Sequence, residues 1–250
     1  MAGISSAQAQ VSVYISAPRT STSGFTSTDV ETFESLSTGI KTSAFASPNY
    51  GVTVTGITGT YTGSASKPFY IGPSTDAWSF GSKYFAVGAQ SGSAATVTLQ
   101  LSGSVKYFGF GWGAGDNNNR ISLYKSGALQ GTFSSATIQA LLANPTVTAV
   151  NGSVYNSSDY LGQPSSPTTN SGENYAFVHF VAPSGIDRLD FFNTDTSSGF
   201  ESDNHTIRLL APTVTGSSLV YVTQVTVPEP GTLALAVLGV TGLMIRRRKG

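Results

Sequence analysis

From Val11 to Thr226 the chain alternates apolar with polar residues in short runs, each closed by Gly, Ser, Asn or Pro. In ATVTLQL (95–101), Val97, Leu99 and Leu101 fall on one face and Thr96, Thr98 and Gln100 on the other. A strand with one buried face reads this way. The same pattern predicts strands in VSVYI (11–15), YGVTVTGI (50–57), VKYFGFGW (105–112) and RISLY (120–124). It continues in YAFVHFV (175–181), IDRLDFF (186–192), TIRLL (206–210) and SLVYVTQVTV (218–227). KSGALQG (125–131) closes a hairpin, with Gly127 supplying the turn's freedom. One helix is expected in SSATIQALLANP (134–145), which opens on serines, lines up Ile138, Leu141 and Leu142, and stops at Pro145. Residues 153–174 are a Ser-, Pro- and Asn-rich loop too polar for the core. Many strands, little helix and no repeat of fixed period predict an all-β fold, a jelly-roll-like β-sandwich over residues 11–226.

Composition narrows the choice. The chain has 250 residues, 10% of them charged, and no cysteine. It therefore has no disulfide framework, thiolate zinc site or cysteine nucleophile. Of thirteen basic and thirteen acidic residues, residues 227–250 hold four and one, which leaves the body at about −3. No basic stripe crosses the body, so a nucleic-acid partner is not expected. A low-charge surface rich in Thr and Ser suits a secreted protein that meets neutral or polymeric partners.

The two ends read as addresses. Residues 1–10 contain Ala7-Gln8-Ala9, the small-x-small pattern of a secretory cleavage site, so they are the remnant of a signal peptide or an ordinary N-terminus. Residues 231–245 are uncharged and largely apolar. As a helix they would span about 22 Å, short of the roughly 30 Å hydrocarbon core. Arg246, Arg247, Arg248 and Lys249 follow directly, as on the cytoplasmic flank of a membrane segment. Pro228-Glu229-Pro230, this apolar run and the basic cluster together resemble the PEP-CTERM sorting signal of Gram-negative, exopolysaccharide-producing bacteria. The resemblance covers residues 227–250. It implies export, a transient inner-membrane anchor, recognition of Pro228-Glu229-Pro230 by an exosortase, and release to the cell surface or extracellular matrix.

Candidate chemistry gathers in two stretches. In YFGFGWGAGDNNNR (107–120), Phe108, Phe110 and Trp112 share one strand face, and Gly109, Gly111 and Gly113 leave the other bare. The aromatic row is either core or a platform for stacking a sugar; the glycine row admits a neighbouring element or a ligand. The glycines lack nucleotide-loop spacing. Asp116, Asn117, Asn118 and Asn119 follow, and GFESDNHT (199–206) holds Glu201, Asp203, Asn204 and His205 in an expected loop. Asp116, Asn119, Glu201, Asp203 and Asn204 are the oxygen set for a calcium ion, and Trp112 with Asn117 the set for a glycan. Turn-forming hydrogen bonds are the simpler explanation of these residues. WGAGDNNN (112–119), FESDNH (200–205) and VETFESLSTG (30–39) also resemble a group of PEP-CTERM surface proteins of this size, which implies a jelly-roll-like fold and no assigned ligand.

No G-x-S-x-G elbow is present, and acidic pairs for glycoside hydrolysis could be assembled from Glu201, Asp203 or Asp116 in any fold that brings them into one cleft. An enzyme is not expected. The chain reads as an exported surface or matrix protein, structural in a biofilm or exopolysaccharide. The alternative is a calcium-dependent, lectin-like carbohydrate-binding module, for which an exposed Trp112 would speak and a buried one would not.

Overall fold

A computed structural model describes residues 10–51 and 54–226. Its strands are β1 (Gln10–Ile15), β2 (Asp29–Glu31), β3 (Gly39–Lys41), β4 (Phe45–Ala46), β5 (Gly59–Thr62), β6 (Phe69–Gly72), β7 (Tyr84–Gly88) and β8 (Val97–Gly115). They continue as β9 (Asn119–Lys125), β10 (Ala128–Ser134), β11 (Thr146–Thr148), β12 (Val154–Asn156), β13 (Asn174–Asn193), β14 (Gly199–Arg208) and β15 (Val220–Thr226), with one helix, α1 (Ala136–Leu142). The all-β expectation holds. The expected sorting helix at 231–245 lies outside the described residues, and among the described residues no helix is long and apolar enough to cross a membrane.

Two long strands organise the body. The first halves of β8 and β13 were expected as separate strands from their second halves, split at SGS (102–104) and APSG (182–185). Each instead runs on without a break, β8 for 19 residues and β13 for 20. The split in the pattern is a change of face. In β8 the core residues are Leu99, Leu101 and Val105, then Phe108, Phe110 and Trp112; in β13 they are Val178 and Phe180, then Leu189 and Phe191. Parity flips where each strand bends from one layer into the other, and the β8–β13 ladder shifts register at Ile186. Gly185, at φ +90°, sits in the bend, where a Cβ would collide with the Ser104 hydroxyl of the other strand.

One layer runs β15-β1-β13-β8-β14-β7-β6-β3 and uses the first half of β13 with the second half of β8. The other contains β10, β9, the second half of β13, the first half of β8, β5 and β4. Their facing side chains form one core, in which Phe108 meets Phe191 edge-on at 6.1 Å and Phe133 meets Phe180 at 5.3 Å.

The expected hairpin forms between β9 and β10, with Ser126 and Gly127 both at positive φ, as a two-residue turn of matching twist requires. The helix forms over α1 and buries Ile138 and Leu142. Three expectations fail. In YGVTVTGI (50–57) the described residues make turns and bends, because the Asp29 carboxylate draws in the N–H groups of Val54 and Thr55 at 3.2 and 3.0 Å. GFESDNHT (199–206) is not a loop but the start of β14, bulged at Asn204 with φ +51°. The polar segment 153–174 does reach the core, through Tyr160, which is buried and donates its hydroxyl to the Ser16 carbonyl at 2.8 Å.

The chain ends of the body share one edge of the fold. Gln10 pairs with Thr226, and Ser12 lies opposite Val181 on β13. The far end of that ladder is Asn174 opposite Gly115. From Val181 to Asn174 is about 23 Å of strand, so Thr226, beyond which the sorting signal begins, stands at the opposite pole from the Gly115–Asn174 end.

Candidate functional site

The glycine row of β8 admits protein, not ligand. A Cβ on Gly111 would run into the Phe80 ring, and one on Gly113 would stand 2.5 Å from the Trp78 carbonyl oxygen. The loop carrying Trp78 and Phe80 therefore lies flat on the outer face of β8. Two side chains strap it there: the Tyr175 hydroxyl donates to the Ala77 carbonyl at 2.5 Å, and the Gln163 amide donates to the carbonyls of Asp76 and Ala77 at 3.0 and 3.1 Å. The strapping leaves the Trp78 side chain 44% exposed.

Beside Trp78 opens a cleft of about 490 Å³, whose wall includes Gln90, Asp116, Glu173, Ser198 and Glu201. Glu201 enters from β14, where it pairs with Gly113; Gln90 comes from the turn after β7, and Glu173 from the residue before β13. Glu201 is 3% exposed, and burial pushes its carboxyl up to about 8, so at neutral pH it keeps its proton. The Gln90 amide N–H donates to Glu201 Oε1. Burial, aided by the Asp116 charge, also raises the Glu173 carboxyl. The other amide atom, Gln90 Oε1, is buried in this wall without a hydrogen-bond partner. A buried acceptor left unpaired costs about 1–3 kcal/mol.

The residues predicted as a site divide into three places. Asp116 and Glu201 meet in the cleft. Asn119 is buried behind it as a brace, accepting the Trp112 indole N–H at 2.7 Å and donating to the Gly199 carbonyl at 2.8 Å. Asp203 and Asn204 lie elsewhere: Asp203 accepts from the Ser82 hydroxyl and from the Asn204 N–H, and Asn204 donates to the Ser21 carbonyl at 3.1 Å. Burial raises the Asp203 carboxyl to about 7 against these two donors. The five oxygens do not form one ligand shell, and among the described residues no three His, Asp or Glu side chains are grouped to hold a metal ion.

Trp112 is not a sugar platform. It is 1% exposed in the core, and Phe108 and Phe110 are buried beside it. Asn117 is exposed, outside the cleft wall, and its carbonyl accepts from Arg120 at 2.6 Å. The residues that sequence reasoning missed are Trp78, Gln90 and Glu173. Trp78 was the more legible of these: TDAWSFGS (75–82) sets a tryptophan among turn formers rather than in an alternating run.

The two histidines belong to the core. His179 hydrogen-bonds to Ser16 at 2.7 Å and Tyr107 at 2.9 Å, and His205 to Tyr61 at 2.8 Å and Ser202 at 2.9 Å. Burial drives both imidazoles down to about 3, so they are neutral. His205 was expected in a loop; it lies in β14 with no exposure, stacked on Phe191.

No curated protein and no solved structure matches the chain. A family model, described as the PEP-CTERM protein-sorting motif, matches residues 226–249. That span contains Pro228-Glu229-Pro230, the apolar run and the basic cluster Arg246–Lys249. The chain carries a C-terminal PEP-CTERM sorting motif and is thereby identified as an exported protein sorted by an exosortase.

Proposed function

We propose that the exported body is a cell-surface or matrix protein that holds extracellular polysaccharide in the Trp78 cleft. One observation carries the reading: a tryptophan 44% exposed stands at a cleft whose wall gathers the amide of Gln90, the hydroxyl of Ser198 and the carboxyl groups of Asp116, Glu173 and Glu201. Sugars present apolar C–H faces to aromatic rings and hydroxyl donors to such acceptors. The described body also ends, at Thr226, at the pole away from the cleft.

The binding is independent of calcium, since Asp203 and Asn204 of the expected oxygen set are held away from the cleft by Ser82 and Ser21. It is also binding without hydrolysis. Asp116, Glu173 and Glu201 do share a cleft, as a glycosidase requires, but Glu201 is buried with Oε1 held by Gln90 and does not present a proton to a glycosidic oxygen.

Co-sedimentation of the protein with the polysaccharide of the encoding strain tests this. The expected result is saturable binding that Trp78→Ala weakens about tenfold or more and a chelator leaves unchanged, with no new reducing ends. Equal retention of wild type and Trp78→Ala would sink the cleft as the site, and release of reducing ends would replace binding with catalysis.

A further inference from the structure

Leu209 and Leu210, where the chain leaves β14, are 40% and 64% exposed, and Val54 beside them is 50% exposed. The three share one hollow of about 220 Å³ with Arg208. Single exposed apolar side chains are ordinary on a protein surface, but a cluster of them marks a contact. The neighbouring acid is withdrawn: Asp29 is 2% exposed, and its carboxylate accepts the Val54 N–H at 3.2 Å. Two cations stand at the rim, Arg208 and, on β8, the exposed Lys106.

Strand register places this patch relative to the tail. Arg208 lies opposite Tyr107, Tyr107 opposite Val181, Val181 opposite Ser12, and Ser12 opposite Gln224. Four antiparallel steps put Arg208 and Gln224 on one row about 19 Å apart and make β14 and β15 parallel. Leu210 and Thr226 each follow that row by two residues, so both lie at the same pole. The sorting motif, matched from residue 226, gives the exported protein a C-terminal anchor. Its uncharged run begins at Gly231, and the five residues from Thr226 to there reach at most about 18 Å. An anchor in the membrane therefore holds this pole, and the patch on it, close to lipid.

We propose that this pole rests on the anchoring bilayer, with Val54, Leu209 and Leu210 in the headgroup boundary and Arg208 and Lys106 toward anionic phosphates. The body then meets the membrane through a defined face and not at its last residue alone. The contact is independent of what the Trp78 cleft binds.

The chain has no cysteine, so one introduced thiol carries a probe without competition. Full-length protein with an environment-sensitive fluorophore on Leu210→Cys or Val54→Cys, both at exposed positions, is reconstituted through its tail into phosphatidylethanolamine–phosphatidylglycerol vesicles. Ser158→Cys, exposed beside Asn174 at the opposite pole, is the reference. The expected result is blue-shifted emission from the first two probes, lost when the lipid is brominated, with the reference probe unaffected. Water-like emission from both in protein that floats with the vesicles overturns the proposal. A blue shift that brominated lipid does not quench also overturns it and assigns the patch to a second copy of the chain. An equal response from the reference probe does so too, since the contact then has no preferred face.

Discussion

Strand β14 separates two regions that treat polar groups in opposite ways. On its inner side Ser202 and His205 enter the core, where Tyr61 and Ser202 take up both imidazole nitrogens and the Tyr50 hydroxyl donates to the His205 carbonyl at 2.9 Å. On its outer side Glu201 faces a cleft where Gln90 Oε1 has no partner and Trp78 is open to solvent. The core closes its polar network, as buried groups must to avoid a desolvation cost. The cleft instead gathers Asp116, Glu173 and Glu201 beside an exposed ring, the arrangement on which the proposed binding rests. The chain's two tryptophans mark the contrast, Trp112 in the core and Trp78 at the cleft.

Trp112→Ala breaks the core side hardest. It deletes a filled core position and the bond to Asn119, and is expected to cost about 3–5 kcal/mol in denaturant unfolding. A loss below about 1 kcal/mol would show that the site is not packed as described.

The next effect is set by pH, with opposite signs in the two regions. Folding keeps a proton on Glu201 up to about 8 that the unfolded chain releases near 4.5, so its contribution falls as pH rises through that window. Glu201→Gln should match wild type at pH 4.5 and exceed it by on the order of 5 kcal/mol at pH 9. The core histidines do the reverse: lowered to about 3, they make the unfolded chain the better proton binder below 6.5, and stability falls as pH drops from there toward 3. Urea titrations of both proteins across the pH range check the two limbs; an unchanged alkaline limb in Glu201→Gln would contradict the buried, protonated carboxyl.

Two smaller stability effects carry the larger binding effects. Gly113→Ala pushes a methyl group against the Trp78 carbonyl and is expected to cost about 1–3 kcal/mol while weakening polysaccharide binding by lifting the loop. Trp78→Ala should leave stability within about 0.5 kcal/mol and cut affinity about tenfold or more. If Trp78→Ala destabilised the protein as much as Trp112→Ala, the contrast between the regions would collapse.

The sandwich was legible because period-two alternation records which face of a strand is buried, and β1, β9 and the hairpin at Gly127 follow it directly. The continuity of β8 and β13 was hidden, since a strand that changes layers changes parity and looks like two. The short strands β3 to β6 carry too few residues to show a period. The site was half legible. Asp116 and Glu201 stood out by residue type, but Trp112 was preferred to Trp78 because it stands next to GDNNN, which sets polar groups beside an apolar ring. The glycine row of β8 admits the Trp78 loop, a long-range contact that local pattern does not encode.

The most direct measurement uses Trp112→Phe, which leaves Trp78 as the single tryptophan, titrated with the polysaccharide and followed by fluorescence. The account predicts a saturable blue shift as the ring leaves water for the sugar face. Emission that stays fixed while the polysaccharide demonstrably co-sediments with the protein would place the ligand elsewhere and contradict the cleft.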